Sequence, residues 1–110
     1  MAKIVAISPD LLLGSKVEAM LTAAGHDVSL SPSLTQAPLE GAELIVADLD
    51  AEDAGALAAT GIPVLGYYSH VNVETKKASE ANGIALAVPR SRMSRELVTL
   101  AAGLLDDRES

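Results

Sequence analysis

The sequence predicts a single α/β domain, a parallel sheet of five short strands covered by helices on both faces. Three observations predict it. Short runs of branched apolar residues recur along the chain, each followed by a segment of helical periodicity or a glycine/proline break. The clearest of these runs are apolar throughout, as in strands buried on both faces. The chain has 110 residues, 49% of them hydrophobic, which is the length and core material of one domain.

The first strand is Lys3 to Ile7. Ser8 is placed to cap a helix, with Pro9 in the first turn and Asp10 at the positive end of the dipole. That helix runs to about Ala24 with Leu13, Val17, Met20, Leu21 and Ala24 as its apolar stripe, and Gly25 stops it. His26 to Leu30 alternates weakly and forms the second strand. Ser31 to Gly41 is rich in Ser, Pro and Gly and holds at most one short helix, broken near Pro38. Glu43 to Ala47 is the clearest strand and enters Asp48. Ala51 to Ala59 is an alanine-rich helix ended by Gly61. Ile62 to Tyr67 is the fourth strand, with Pro63 at its start, where a missing donor is tolerated. Asn72 caps a helix to about Ala81, stopped at Asn82-Gly83, and Ile84 to Val88 is the fifth strand. Ser94 caps a last helix with Leu97, Leu100, Ala101, Leu104 and Leu105 on one face. The domain is thus 1–105, and 106–110 is a polar tail that frays. Five successive βα units without repeat or linker predict a flavodoxin-like (βα)5 three-layer sandwich with strand order 2-1-3-4-5.

Composition narrows the function. There is no Phe and no Trp, so Ala, Val, Leu and Ile must fill the core, with Tyr67 and Tyr68 as the two aromatic residues. Fifteen acids against eight bases give a formal charge of −7, which weighs against nucleic acid and anionic membrane surfaces as partners. The absence of Cys excludes thiol catalysis, disulfides and thiolate metal sites. No run approaches the roughly 20 apolar residues of a membrane span, and the N-terminal apolar run is too short for a signal peptide, so a cytoplasmic location is expected.

In an open parallel sheet, chemistry sits beyond the carboxyl ends of the strands. That rule selects Ser8, Pro9 and Asp10 after the first strand, and Asp48, Leu49 and Asp50 after the third. It selects Tyr68, Ser69 and His70 after the fourth, and Pro89, Arg90 and Ser91 after the fifth. The candidate crevice residues are therefore Asp10, Asp48, Asp50, Tyr68, Ser69, His70 and Arg90. Adjacent Tyr67 and Tyr68 point to opposite faces of a strand, one under a helix and the other into the crevice. Each acid also has a purely structural role open to it: Asp48 as a cap of the following turn, Asp10 as a first-turn dipole residue. Ser69-His70 has no acid placed to orient the base, and no nucleophile elbow is present. The loop Ser8 to Gly14 has no glycine-rich phosphate cradle, and no dinucleotide or flavin pattern occurs, so no cofactor is expected.

Several segments resemble the receiver domains of bacterial response regulators. Leu44-Ile45-Val46-Ala47-Asp48-Leu49 resembles the family's third strand and phosphoacceptor, and Ile62-Pro63-Val64-Leu65 the start of its fourth strand. Asn82-Gly83 followed by a strand and Arg90 resembles the approach to the family's lysine, and Ser94-Arg95-Glu96-Leu97 the start of its last helix. The resemblance implies a signalling domain with Asp48 at the acceptor position. The departures are pointed. Ser8 and Pro9 stand where the family carries the acidic pair that holds Mg²⁺. Tyr68 replaces the hydroxyl residue, Arg90-Ser91 the lysine–proline pair, and Ala87 the switching aromatic. Mg²⁺ wants oxygen ligands in near-octahedral geometry, and Asp48 with Asp50 is a poor cage, so no metal site and no catalytic residue is expected. Arg90 is expected in a structural ion pair with Asp48.

The sequence is thus read as an atypical pseudo-receiver, not an enzyme, acting through protein–protein contact. The alternatives are a phosphoacceptor receiver using Asp48 and a small-ligand-binding flavodoxin-like domain. Arg90, Arg92 and Arg95 are the one basic concentration on an acidic chain. The resemblance implies a protein partner or homodimer at the fifth strand and last helix, with Arg92 and Arg95 on that face.

Overall fold

Ile or Val, stiff at χ1, occurs in every strand, and the first four strands are short because a turn-forming segment follows each at once. In a computed structural model of the chain the described residues are 2–69, 81 and 83–109, with side chains through 106. The strands are β1 (Lys3–Ile7), β2 (Asp27–Ser31), β3 (Leu44–Asp48), β4 (Val64–Tyr68) and β5 (Leu86–Pro89). All pair in parallel in the order β2-β1-β3-β4-β5, as the repeated βα pattern predicts. The central strands are buried on both faces, and Ile4, Val5, Ile7, Leu44, Ile45, Val64 and Leu65 are wholly inaccessible. β2, on the edge, is mostly half-buried, which explains its weak alternation.

The period of two along each strand divides the core. Ile4, Val46, Leu65 and Val88 face α1 (Leu11–Ala23) and α3 (Arg90–Glu109), where Val17, Leu21, Met93, Leu97 and Ala101 meet them. Val5, Ile7, Ile45, Val64 and Ala87 face the other layer, to which α2 (Ala54–Ala58) contributes Leu57. The two tyrosines divide as expected, Tyr67 to the first core and Tyr68 to the second.

The helix starts differ from the sequence reading. Asp10 is the N-cap of α1 and not a first-turn residue; its carboxylate accepts the Leu12 and Leu13 N–H groups at 3.0 and 3.2 Å. Ser8 instead accepts the Asp10 N–H at 3.1 Å. The apolar stripe of α1 includes buried Gly14, while Ala24 is its exposed C-cap and Gly25 turns the chain at φ 97°. α2 is only five residues long, because the Ala51 and Glu52 N–H groups bond the Asp48 carbonyl and Asp53 is the cap. Ser94 caps nothing: α3 starts at Arg90, directly after Pro89, because Met93 is buried and draws the preceding turn onto the core. α3 continues to Glu109, so most of the segment expected as a frayed tail is helical. The loop after β2 holds one 3₁₀ turn, Leu34–Gln36, whose Leu34 N–H bonds Glu52 Oε1 at 2.8 Å. The helix expected from Asn72 lies, Ala81 apart, outside the described residues.

Gly66 lets the Leu49 side chain cross β4, since a Cβ there would lie 2.6 Å from Leu49 Cγ. Gly66→Ala should destabilise the domain by about 1–3 kcal/mol through overpacking. Urea unfolding checks this, and Leu49→Ala in the same chain should recover part of the loss.

Candidate functional site

A parallel sheet puts every strand's carboxyl end on one edge, and the chain leaves β1 toward β2 on one side and β3 on the other, opening a crevice there. The residues continuing the α1/α3-facing row meet at this edge. Ser8 follows Ile4 and Ala6, Asp48 follows Val46, Tyr67 follows Leu65, and Arg90 follows Val88.

Asp48 pairs with Tyr67 across β3 and β4, so their side chains share a face. Asp48 Oδ1 accepts the Asp50 N–H at 2.9 Å and closes the turn after β3. Burial raises the Asp48 carboxyl above its usual range. The Asp50 N–H bond and the Arg90 charge oppose this, while the charges of Asp50 and Asp10 add to it. Asp50 Oδ2 accepts the Ser69 N–H at 2.8 Å and ties the loop after β3 to that after β4.

Tyr67, and not Tyr68, presents its hydroxyl to this crevice. Burial raises the Tyr67 phenol; the nearby Ser8 side chain and the Arg90 charge oppose this, while the charges of Asp48 and Asp10 add to it. Tyr68 is 3% exposed in the core of the opposite face. Alternation separates the two rings, but choosing the crevice side needs the pairing of Asp48 with Tyr67, which only the folded sheet supplies. Ser69 contributes its backbone N–H, and His70 lies outside the described residues.

Arg90 is paired with Asp10, not with Asp48. Its Nη2 lies 3.1 Å from Asp10 Oδ2, and the two side chains are 36% and 46% exposed. Asp10 ends the approach to α1 and Arg90 begins α3, two helices on the same face, so their side chains meet at the rim while Asp48 sits half-buried beneath. The Leu13 N–H, with Leu12 and Arg90, holds the Asp10 carboxyl below its ordinary value against a smaller opposing effect of burial. Farther along α3, Arg92 pairs with Glu96 at 3.2 Å, and Arg95 Nε reaches the Ser91 carbonyl at 3.4 Å.

These residues do not fit the Mg²⁺ site of a receiver. Both Asp10 oxygens are engaged, by helix N–H groups and by a guanidinium. Ser8 brings a neutral hydroxyl bonded to the Asp10 backbone, and the Pro9 side chain brings no ligand. Among the described residues no three His, Cys, Asp or Glu side chains are grouped to hold a metal ion.

No family model and no curated protein sequence matches the chain. Solved structures do. A response regulator receiver domain from Clostridium thermocellum is 11% identical, with a TM-score of 0.84 over 99% of this chain and 98% of that one. A CheY-like receiver domain from Methanospirillum hungatei is 15% identical, with a TM-score of 0.83 over 99% and 97%. A putative pilus assembly-related protein from Burkholderia pseudomallei is 16% identical, with a TM-score of 0.78 over 96% and 90%. The chain therefore has the receiver fold along its length.

The two acids should respond oppositely to substitution. The raised Asp48 pKa means that the folded state binds its proton more tightly, so ionised Asp48 costs stability above its folded pKa. Asp48→Asn should raise the urea midpoint at pH 7, the gain vanishing below about pH 4, where the carboxyl is protonated in both states. The lowered Asp10 pKa has the reverse sign. Asp10→Ala should lower the midpoint at pH 7, and the ionisation part of that loss should fade as pH falls through the depressed value. Urea titrations across pH 2–7 (about that range) check both signs.

Proposed function

We propose that this chain is a receiver-fold signalling module of the pseudo-receiver kind, acting through protein–protein contact without metal-dependent phosphorylation of Asp48. The observation that carries the proposal is the commitment of Asp10. The acid closest to the family's metal ligands spends one oxygen on the α1 N-terminus and the other on Arg90. Phosphoryl transfer to a carboxylate depends on positioning and on charge neutralisation by a metal, and this edge supplies a fixed internal ion pair instead. The Arg90 fork cannot serve as a mobile ammonium point charge while it holds Asp10.

Signalling then falls to surface. The side of α3 that carries Arg92 and Arg95 and the edge strand β5 form the partner face, and the module is not an enzyme. An acidic chain of charge −7 favours a protein partner over nucleic acid or an anionic membrane. A cytoplasmic location suits such a module; among the described residues no helix is long and apolar enough to cross a membrane.

One observation favours the second reading, a phosphoacceptor Asp48: the side chain ends β3 on the crevice face, in the acceptor position of the fold. The two readings separate in one experiment. The protein is incubated with acetyl phosphate and Mg²⁺, and separately with beryllofluoride and Mg²⁺, and followed by intact mass and by amide NMR. Unchanged mass and unchanged spectra are expected. A phosphoryl adduct abolished by Asp48→Asn would overturn the proposal in favour of the second reading.

A further inference from the structure

His26 stands where three elements meet at the amino edge of the sheet, the edge opposite the crevice. Gly25, at φ 97°, turns the chain out of α1. The Gly25 and His26 N–H groups bond the Thr22 and Leu21 carbonyls at 3.0 and 3.1 Å. This paired closure of a helix end fixes the backbone at His26. The next residue, Asp27, opens β2, and its N–H bonds the Ala2 carbonyl at 2.9 Å. The half-buried imidazole completes the junction: its Nδ1 accepts the Ala2 N–H at 3.3 Å. Ala2, the residue entering β1, is thus held at both its N–H and its carbonyl.

An imidazole nitrogen accepts a hydrogen bond only while it carries no proton. The bond to Ala2 therefore needs the neutral ring with its proton on Nε2. A second proton would go to Nδ1 and set two donors against each other. The end of α1 has the opposite preference, because the C-terminus of a helix is partly negative and favours a cation. α1 has no basic residue in its last turn. Its nearest charges, Lys16 and Glu18, lie about 9 Å or more along the axis from its C-cap Ala24. On β2 the neighbouring charge is exposed Asp27, and on β1 it is Lys3, in register with Asp27. Lys3 is turned away to β3 and the loop before it: its Nζ bonds the Glu40 carbonyl, and its N–H bonds Glu43 Oε2 at 2.9 Å. On α3, which packs on α1, the last described side chain is exposed Asp106. Among the described residues, none of these groups brings a cation to the end of α1.

We propose that His26 is a proton-operated latch. Neutral, the ring pins Ala2 at the entrance to β1. Protonated, it releases the Ala2 N–H and turns its charge to the C-terminal carbonyls of α1. Both states keep the strand order and the crevice; what changes is how firmly the chain entering β1 is held. Histidine is the side chain suited to such a role, since it changes charge between about pH 5 and 8. The latch lies at the opposite edge from Asp48 and Arg90, so it is independent of whether Asp48 accepts a phosphoryl group.

NMR on the full chain tests the latch across about pH 5–8. Long-range ring correlations should show the neutral ring with its proton on Nε2. The Ala2 amide should then titrate with the midpoint of the His26 ring. Its solvent exchange, corrected for intrinsic pH dependence, should speed about threefold to tenfold on protonation, the range one hydrogen bond is worth. The Ala23 and Ala24 carbonyl resonances should shift with the same midpoint. His26→Asn keeps an acceptor at that place and every other titrating group, and its Ala2 amide should be flat over the range. A neutral ring protonated on Nδ1, or an Ala2 amide indifferent to the ring, would overturn the latch; so would a response that survives in His26→Asn. Carbonyl resonances that stay fixed would overturn the exchange of partners. The wild-type measurements decide the matter even if the variant does not fold.

Discussion

Everything in this domain depends on a sheet buried on both faces by a core that is aliphatic apart from Tyr67 and Tyr68. The central strands are made of Ile, Val, Leu and Ala, and their burial against α1 and α3 on one side and α2 on the other supplies the apolar contacts. Each large aliphatic side chain taken fully from water contributes roughly 1.5–3 kcal/mol. Such a core must be close-packed, because small residues leave voids unless the layers approach closely. Gly14 shows the consequence: a Cβ there would lie 2.7 Å from Leu30 Cδ1, so α1 sits directly on β2.

The same constraint positions the crevice. Parallel strands buried on both faces must end together, and the last residue of each row emerges where the core stops. Ser8, Asp48, Tyr67 and Arg90 reach the edge as the ends of rows that are otherwise apolar. Asp48 is half-buried for that reason, and burial is the main cause of its raised pKa. Asp10 stands one turn outside, and its exposed carboxylate remains readily ionised, held by N–H groups and by Arg90.

The Asp10–Arg90 pair joins the two helices of one layer at the mouth of the crevice. It closes the contact between residues 80 positions apart in sequence. An exposed ion pair of this kind contributes little to stability by itself. Its effect is local: it engages Asp10 Oδ2 and the Arg90 guanidinium with each other at the rim. Arg90 at the start of α3 makes this pair at some cost to the helix dipole, whose N-terminus favours acids.

The sequence by itself determined the layered parallel fold, the strand order and the list of loops at the functional edge. Local periodicity and turn chemistry carry that information: all-apolar runs require two covered faces, and the βα repeat restricts the crossovers. It also showed that the first two residues after the opening strand, Ser8 and Pro9, carry no carboxylate. Tertiary structure alone decided which of two adjacent tyrosines turns to the crevice, because Tyr67 is fixed by its pairing with Asp48. It decided that Arg90 bonds Asp10 and not Asp48, because α1 and α3 pack on the same side of the sheet. It moved the start of α3 from Ser94 to Arg90, because burial of Met93 outweighs a local capping signal. In each case a single residue's chemistry allowed two outcomes, and long-range packing selected one.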